Sequence, residues 1–426
     1  MKTEVQTFNL SKNQVRKLGD RLRFAANYDE HDLSMLQAYR VSHKEAISNV
    51  FSIINNITKY HVPAAINTFR IKRIESILRK LVRMPDMELD RMWDIAGCRI
   101  IVKKDVEIAI VIDELAKNFH VRDQKDYLTA SQPSGYRAYH LFVSLDETRK
   151  EVIEIQIRTV EQHNWATFVE IIDFLFGLNI KEGEKHTEIE RFHWLMSRKK
   201  ELSYREKIEV VTISDNLDFY STIGKIFISN YLHVRSEYLS IKKSGKHNKF
   251  FIIESTKDDV PIIEPFLDFT EAEKEYYNKY LTNKNANIVL ISIGHPSFEK
   301  LSIAYSNYIL MMHSFVDDYF VILHDLIIES VKVGKARDYL KFRKLYIKTA
   351  NIYTAQVNKE FETWIEKSKS SKKNKELAKW QDEIKKKATQ FTDSIVKLNN
   401  ELRSCYPKKG FNKFKFDLVT RFYHEK

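Results

Sequence analysis

The sequence predicts an α+β fold, with a mixed β-sheet flanked by helices and, after it, a mainly helical C-terminal region with a few strands. Three observations predict it. Residues 98–104, CRIIVKK, form a β-branched run typical of a buried strand, set between stretches of helical period. Tyr136 to Leu145 and Glu151 to Arg158 alternate with period two around the charged turn DETRK, which reads as a hairpin. From about residue 301 to 400 the apolar spacing is helical almost throughout. The order helix, strand, helix, hairpin, helix implies a mixed sheet covered by helices.

The elements follow in order. Residues 1–26 are basic and amphipathic, with Lys12, Arg16, Lys17, Arg21 and Arg23 on a helix. Residues 31–60 continue in helical period, with Leu33, Leu36, Ile47, Val50 and Ile54 on one apolar face, and Pro63 breaks the pattern. The segment 68–83 reads as a helix with Ile71, Ile74, Ile77, Leu78 and Leu81 inward and Arg70, Arg73 and Lys80 opposite; Lys72 falls nearer its edge. Residues 106–118 and 160–176 are helical in pattern. Further on, KIEVVTI (207–213) and ANIVLISI (286–293) read as strands. Each precedes a similar peptide, ISNYL at 228–232 and YSNYI at 305–309, which is either a weak duplication or a chance match. The run KSKSSKKNKELAKW reads as an exposed loop or helix start. The tail KKGFNKFKF reads as a basic edge strand or, alternatively, as an RNA-stacking segment.

A chain of 426 residues is too long for one small core, and the pattern divides it at 1–60, 61–205, 206–300 and 301–426. The net charge of +12 favours anionic partners such as nucleotides or RNA. The two cysteines, Cys98 and Cys405, exclude a disulfide framework. Neither GxxxxGKS nor GxGxxG occurs, so P-loop and Rossmann readings lose their support. The N-terminal residues hold no apolar signal core and no apolar run is long enough to span a bilayer, so the expected location is cytoplasmic and away from membranes.

The residues that carry chemistry lie between 70 and 166. Asp94, at the entry to a buried strand with Gly97 close by, is placed to hold Mg²⁺, which prefers oxygen ligands and phosphate partners; a plain turn cap is the alternative. Glu154, Gln156 and Arg158 share one face of a strand whose other face is Ile153, Ile155 and Ile157. Arg70, Lys72, Lys80 and Arg99 supply cations, and the loop SQPSGYRAYH supplies Tyr136 and His140. This set suits phosphoryl-type transfer, in which positioning and charge neutralisation dominate.

Four ordered motifs then resemble the RelA/SpoT synthetases of guanosine tetra- and pentaphosphate. They are Arg70-x-Lys72 with Ser76 and Lys80; Asp94-x-x-Gly97-x-Arg99; Gly135-Tyr136 with His140; and Glu154-x-Gln156-x-Arg158-Thr159 followed by His163-x-Trp165-Ala166. The resemblance covers roughly residues 40–200. It implies a nucleotidyltransferase-like sheet and transfer of the β,γ-pyrophosphate of ATP to a ribose 3′-hydroxyl. By that resemblance Arg70 and Arg99 sandwich adenine, Lys72, Ser76 and Lys80 hold phosphates, Asp94 and Glu154 serve Mg²⁺ and catalysis, and Tyr136, His140, Gln156 and Arg158 meet the acceptor. No hydrolase activity is expected, since His31-Asp32 stands alone. Two acceptors stay open. GDP or GTP is the family's usual one, yet Ser131 and Gln132 stand where a proline-lysine pair is usual. The 3′-CCA end of tRNA is the acceptor of the toxic, CapRel-like branch, and Lys12, Arg16, Lys17, Arg21 and Arg23 would suit it. In that branch the C-terminal half answers to an antitoxin or a phage-protein trigger, and a Y-x-x-Y peptide, here Tyr277 and Tyr280, blocks the ATP site in some members. A catalytically inactive nucleotide- or RNA-binding regulator is the alternative.

Overall fold

A computed structural model describes residues 10–24, 28–131, 134–148, 151–177, 186–243, 248–256, 259–283, 286–294, 297–309, 315–369 and 375–421. Helices α1 (Lys12–Leu22), α2 (Glu30–Ser42) and α3 (Lys44–His61) lead into β1 (Ile66–Ile71) and α4 (Ile74–Arg83). There follow β2 (Ala96–Val102), α5 (Asp105–Asn118), β3 (His120–Asp126), β4 (Tyr139–Ser144), β5 (Ile153–Thr159) and α6 (Val160–Phe176). Next are α7 (Thr187–Ser197), α8 (Tyr204–Asn216), α9 (Phe219–Lys243), β6 (Phe250–Ser255), β7 (Ile262–Phe266), α10 (Phe269–Thr282) and β8 (Asn287–Ile293). The chain ends with α11 (Phe298–Ala304), α12 (Ser306–Ile309), α13 (Phe315–Lys332), α14 (Ala336–Lys369), α15 (Lys375–Cys405) and α16 (Gly410–Arg421). Among the described residues no helix is long and apolar enough to cross a membrane.

Two compact units result. The first comprises residues 1–186 and 233–311; the second comprises 187–232 and 312–426. In the first unit eight strands form one mixed sheet in the order β3-β4-β5-β2-β1-β8-β6-β7. β2 and β5 are parallel and the remaining neighbours antiparallel. Strands from residues 250–293 therefore complete the sheet begun at residue 66, where the sequence suggested a separate α/β domain from 206 to 300. The second unit is helical among its described residues, and within it a fully buried Glu360 accepts from Trp380 Nε1 at 2.7 Å and from Lys387 Nζ at 2.9 Å.

Three elements differ from their sequence pattern. Residues 66–71 form β1, not the start of a helix, so Arg70 lies on a strand and Lys72 on the link to α4. β1 is buried on both faces, so it lacks the polar alternation that marks a half-exposed strand. Residues 207–213 lie in α8 despite their β-branched run. Ser203 and Glu206 form a capping box at its start, and Val210, Ile213 and Ser214 are buried at helical spacing. The tail Lys408–Phe416 enters α16, with Phe416 buried and Phe411 and Phe414 exposed, so it is neither an edge strand nor, in this fold, extended. The lysine-rich run at 367–380 lies partly outside the described residues; Lys375 begins α15.

The core sits on one face of the sheet. Phe69, Ile71, Cys98, Ile100, Ile155 and Ile157 pack there with Ile54, Val111 and Leu115 of α3 and α5. Full burial of each such side chain contributes roughly 1.5–3 kcal/mol.

Candidate active site

Strand register puts the polar residues on the opposite face. Thr68 pairs with Arg99 and Arg70 with Gly97 across β1 and β2. Gly97 pairs with Glu154 and Arg99 with Gln156 across β2 and β5, and β4 sets His140 beside Gln156. Paired residues share a face, so Arg70, Arg99, Glu154, Gln156 and His140 line up across four adjacent strands. They border a cleft of about 1760 Å³ that is also lined by Lys72, Lys80, Asp94 and Tyr136.

Two clusters occupy it. In the first, Lys72 Nζ and Lys80 Nζ each donate to Asp94 at 2.8 Å, one to each carboxylate oxygen. Burial works to raise the Asp94 pKa, but the two ammoniums outweigh it and bring it down to about 2. Burial pulls the Lys72 ammonium below its ordinary value, against the pull of Asp94. Ser76, on α4 one turn before Lys80, is half-buried and does not line the cleft.

The second cluster is a closed ring of hydrogen bonds. His140 Nδ1 lies 2.9 Å from Glu154 Oε1, and Tyr136 Oη lies 2.9 Å from His140 Nε2. Arg158 donates to Tyr136 Oη at 3.1 Å and to Gln156 Oε1, and Gln156 Nε2 donates to Glu154 Oε2 at 3.0 Å. A carboxylate only accepts, so His140 donates through Nδ1; with neutral imidazole, Nε2 then accepts from Tyr136. Burial alone would raise the Glu154 pKa; the His140 hydrogen bond holds it below the usual range. Arg158 also stands 5.4 Å over the Tyr136 ring. Gly135, with φ 90°, supplies a backbone conformation that turns the chain into Tyr136.

Beside these clusters the arginines meet residues to which the sequence pattern assigned no functional role. Arg70 donates to Tyr308 Oη at 3.1 Å, and Arg99 donates to the Ala304 carbonyl at 3.2 Å. Tyr305 is buried and lines the cleft, and Arg73 stands 5.6 Å over the Tyr308 ring. Burial opposes the Arg70 charge, yet Tyr308 and Glu170 raise its pKa; burial, Arg158 and Arg70 pull Arg99 down to about 10. His163 Nε2 donates to the Ile303 carbonyl at 2.9 Å, and burial keeps that imidazole neutral well below the ordinary range.

Residues 69–172 match the family model described as "Region found in RelA / SpoT proteins". The domain is of the RelA/SpoT type. Over 134 residues the chain is 38% identical to the GTP pyrophosphokinase YjbM of Bacillus subtilis, covering 29% of this chain and 64% of that protein. It is 34% identical over 138 residues to the GTP pyrophosphokinase YwaC of the same organism, covering 29% of this chain and 66% of that protein. The chain thus spans just under two thirds of the length of these relatives. Among solved structures it is similar to small alarmone synthetase 1 from Bacillus subtilis bound to its product pppGpp, at 30% identity and a TM-score of 0.33, covering 38% of this chain and 89% of that one.

Of the motif residues expected to bind substrate, hold metal or take part in catalysis, all but Ser76 and Arg158 line the cleft, and Arg158 closes the ring behind Tyr136. The basic residues of the N-terminal helix are mostly engaged elsewhere in the protein. Lys12 and Arg16 pair with Asp90 and Arg16 with Glu88; Arg21 pairs with Asp32; Arg23 donates to the carbonyls of Met84 and Met87. Lys17 is exposed, and of the five only Lys12 lines the cleft. Gln132 lies outside the described residues. Tyr277 is in the core of the first unit, with Tyr280 packed against it, and neither lines the cleft. The Y-x-x-Y spacing that does meet the arginines is Tyr305 and Tyr308. It was readable in the sequence as YSNYI, but nothing local ties that peptide to Arg70, 238 residues away along the chain.

Proposed function

We propose that the RelA/SpoT domain is an ATP-dependent pyrophosphokinase that transfers the β,γ-pyrophosphate of ATP to a ribose 3′-hydroxyl. The convergence of the Lys72–Asp94–Lys80 cluster and the Glu154 ring on one cleft carries this reading, and the likeness to GTP pyrophosphokinases supports it. Lys72 and Lys80 exchange Asp94 for the triphosphate, with Ser76 beside them, and Arg70 and Arg99 bracket the adenine. Tyr136 stacks on the acceptor base, backed by His140, Gln156 and Arg158. The acceptor oxygen attacks the β-phosphorus, the bond from that phosphorus to the α,β-bridging oxygen breaks, and AMP leaves with the electron pair. The hydroxyl proton passes to Glu154, whose ionised form His140 favours.

Asp94 and Glu154 are the residues that would hold Mg²⁺. Among the described residues no group of three or more His, Cys, Asp or Glu is gathered for a metal. Two carboxylates nevertheless fit Mg²⁺ at a phosphate site, where one or two carboxylates and the substrate phosphates are the usual ligands. When bound, the ion neutralises charge developing on the phosphates.

The acceptor proposed first is GDP or GTP, on the strength of the relatives' names. A second reading, the 3′ end of tRNA, is favoured by Arg83, Arg91, Arg122 and Lys125, further cations lining the cleft. Incubation with γ-³²P-ATP, Mg²⁺ and either guanosine nucleotides or total tRNA separates them: label moves to the true acceptor, and label on neither with both the wild-type chain and Tyr308→Phe overturns transfer. The same reading makes residues 304–308 a competitor for the adenine, since Tyr308 and the Ala304 carbonyl already satisfy Arg70 and Arg99. A trigger that draws this peptide away, an antitoxin-like or phage-derived protein in the tRNA reading, frees both arginines.

A further inference from the structure

Lys72 is fixed from behind by residues that no motif contains. Its amide donates to the Ile95 carbonyl at 2.7 Å, and its carbonyl accepts from Arg40 Nε at 2.7 Å. Arg40 is 1% exposed, on α2, and its charge is met by Glu273 on α10 at 3.2 Å. Gln37 is fully buried between them. It accepts from Arg40 Nη1 and donates to Glu273 Oε2 at 2.9 Å and to the Glu273 carbonyl at 3.2 Å. The guanidinium lies 4.7 Å over the Tyr276 ring, and Tyr276 Oη accepts from the Ile74 amide at 3.1 Å. That amide opens α4, whose first-turn donors have no partner within the helix, and Arg73 offers no side-chain cap.

A buried, paired charge that serves only stability is readily replaced by apolar packing, because desolvation cancels most of its gain. Here the pair instead ends on the two backbone groups flanking residue 73, at the start of the segment that carries Lys72 and Lys80 into the cleft. We infer that Arg40, Glu273 and Tyr276 are positioning residues of the donor site, so that α10, which lies outside the RelA/SpoT match, sets how the phosphate-side lysines are presented. This rests on the pyrophosphokinase reading for its kinetic consequence, but its structural consequence does not.

The test uses the full chain with Tyr276→Phe, which keeps the ring under Arg40 and removes only the acceptor of the Ile74 amide, and with Arg40→Lys. Hydrogen exchange over residues 70–80, together with Michaelis constants for ATP and for the acceptor, is measured well below the melting temperature. Tyr276→Phe is expected to speed exchange at Ile74 at least tenfold and to raise the KM for ATP several-fold, with the acceptor KM and kcat little changed. Arg40→Lys is expected to raise the KM for ATP further. Unchanged exchange overturns the inference. So does faster exchange with an unaltered KM for ATP, because a purely structural role lowers the melting temperature without moving that constant. If neither the wild-type chain nor Tyr308→Phe transfers label, the pyrophosphokinase reading alone falls; the inference is then decided by AMP-CPP affinity, which must fall in Tyr276→Phe for it to stand.

Discussion

Glu154 is held by a ring in which each neighbour fixes the next, so its carboxylate points in one direction at the cost of few degrees of freedom. Glu154→Gln keeps the shape and removes the proton acceptor. The expected result is a fall in kcat of about 100-fold or more, with the melting temperature little changed. Asp94 acts on a different property. Its folded pKa of about 2 lies below the ordinary 3.8, so between those values the unfolded chain binds the proton and the folded chain does not. Stability from this group is therefore complete at neutral pH and is lost as pH falls from about 4 toward 2. The difference corresponds to about 2 kcal/mol. Asp94→Asn should lose about that much at pH 7 and flatten the acid limb of stability, measured by urea unfolding across pH.

At the scale of elements, the hairpin of β4 and β5, the strand β2 and the helices α5 and α6 were all legible, because each is half-buried or has the period of its class. The site residues were legible for a related reason: alternation along β5 already put Glu154, Gln156 and Arg158 on one face. β1 was not, because burial on both faces erased alternation and the helical spacing of Ile71, Ile74, Ile77 and Leu81 ran across its end. α8 was misread because a capping box and packing outweigh β-branched propensity. The docking of α11 and α12 on the arginines was invisible, since it depends on pairing β1 with β8, more than 200 residues apart. That docking can be tested at one atom. Tyr308→Phe removes the hydroxyl that Arg70 now serves and leaves the ring. The expected outcome is a lower KM for ATP and a several-fold higher rate at limiting ATP, read in the label-transfer assay.

For the whole molecule, the decisive fact is that β1 is an interior strand. It lies between β2 and β8, and the Gly294 amide donates to the Asn67 carbonyl at 3.0 Å just beyond the paired residues. Core residues Phe269, Tyr276 and Tyr277 of α10 belong to the same cluster as Ile54, Ile77 and Ile100. A chain ending at residue 206 would bare the β1 edge and part of this core. It should aggregate or melt well below the full chain in a thermal scan, and should not emerge as a hyperactive enzyme. The consequence is genetic. If residues 304–308 restrain the cleft, a truncation before the end of β8 does not simply release it, because it removes sheet strands along with that peptide. A screen for unrestrained alleles should therefore return missense changes at Tyr305 or Tyr308, while nonsense and frameshift alleles between codons 206 and 294 should score as nulls.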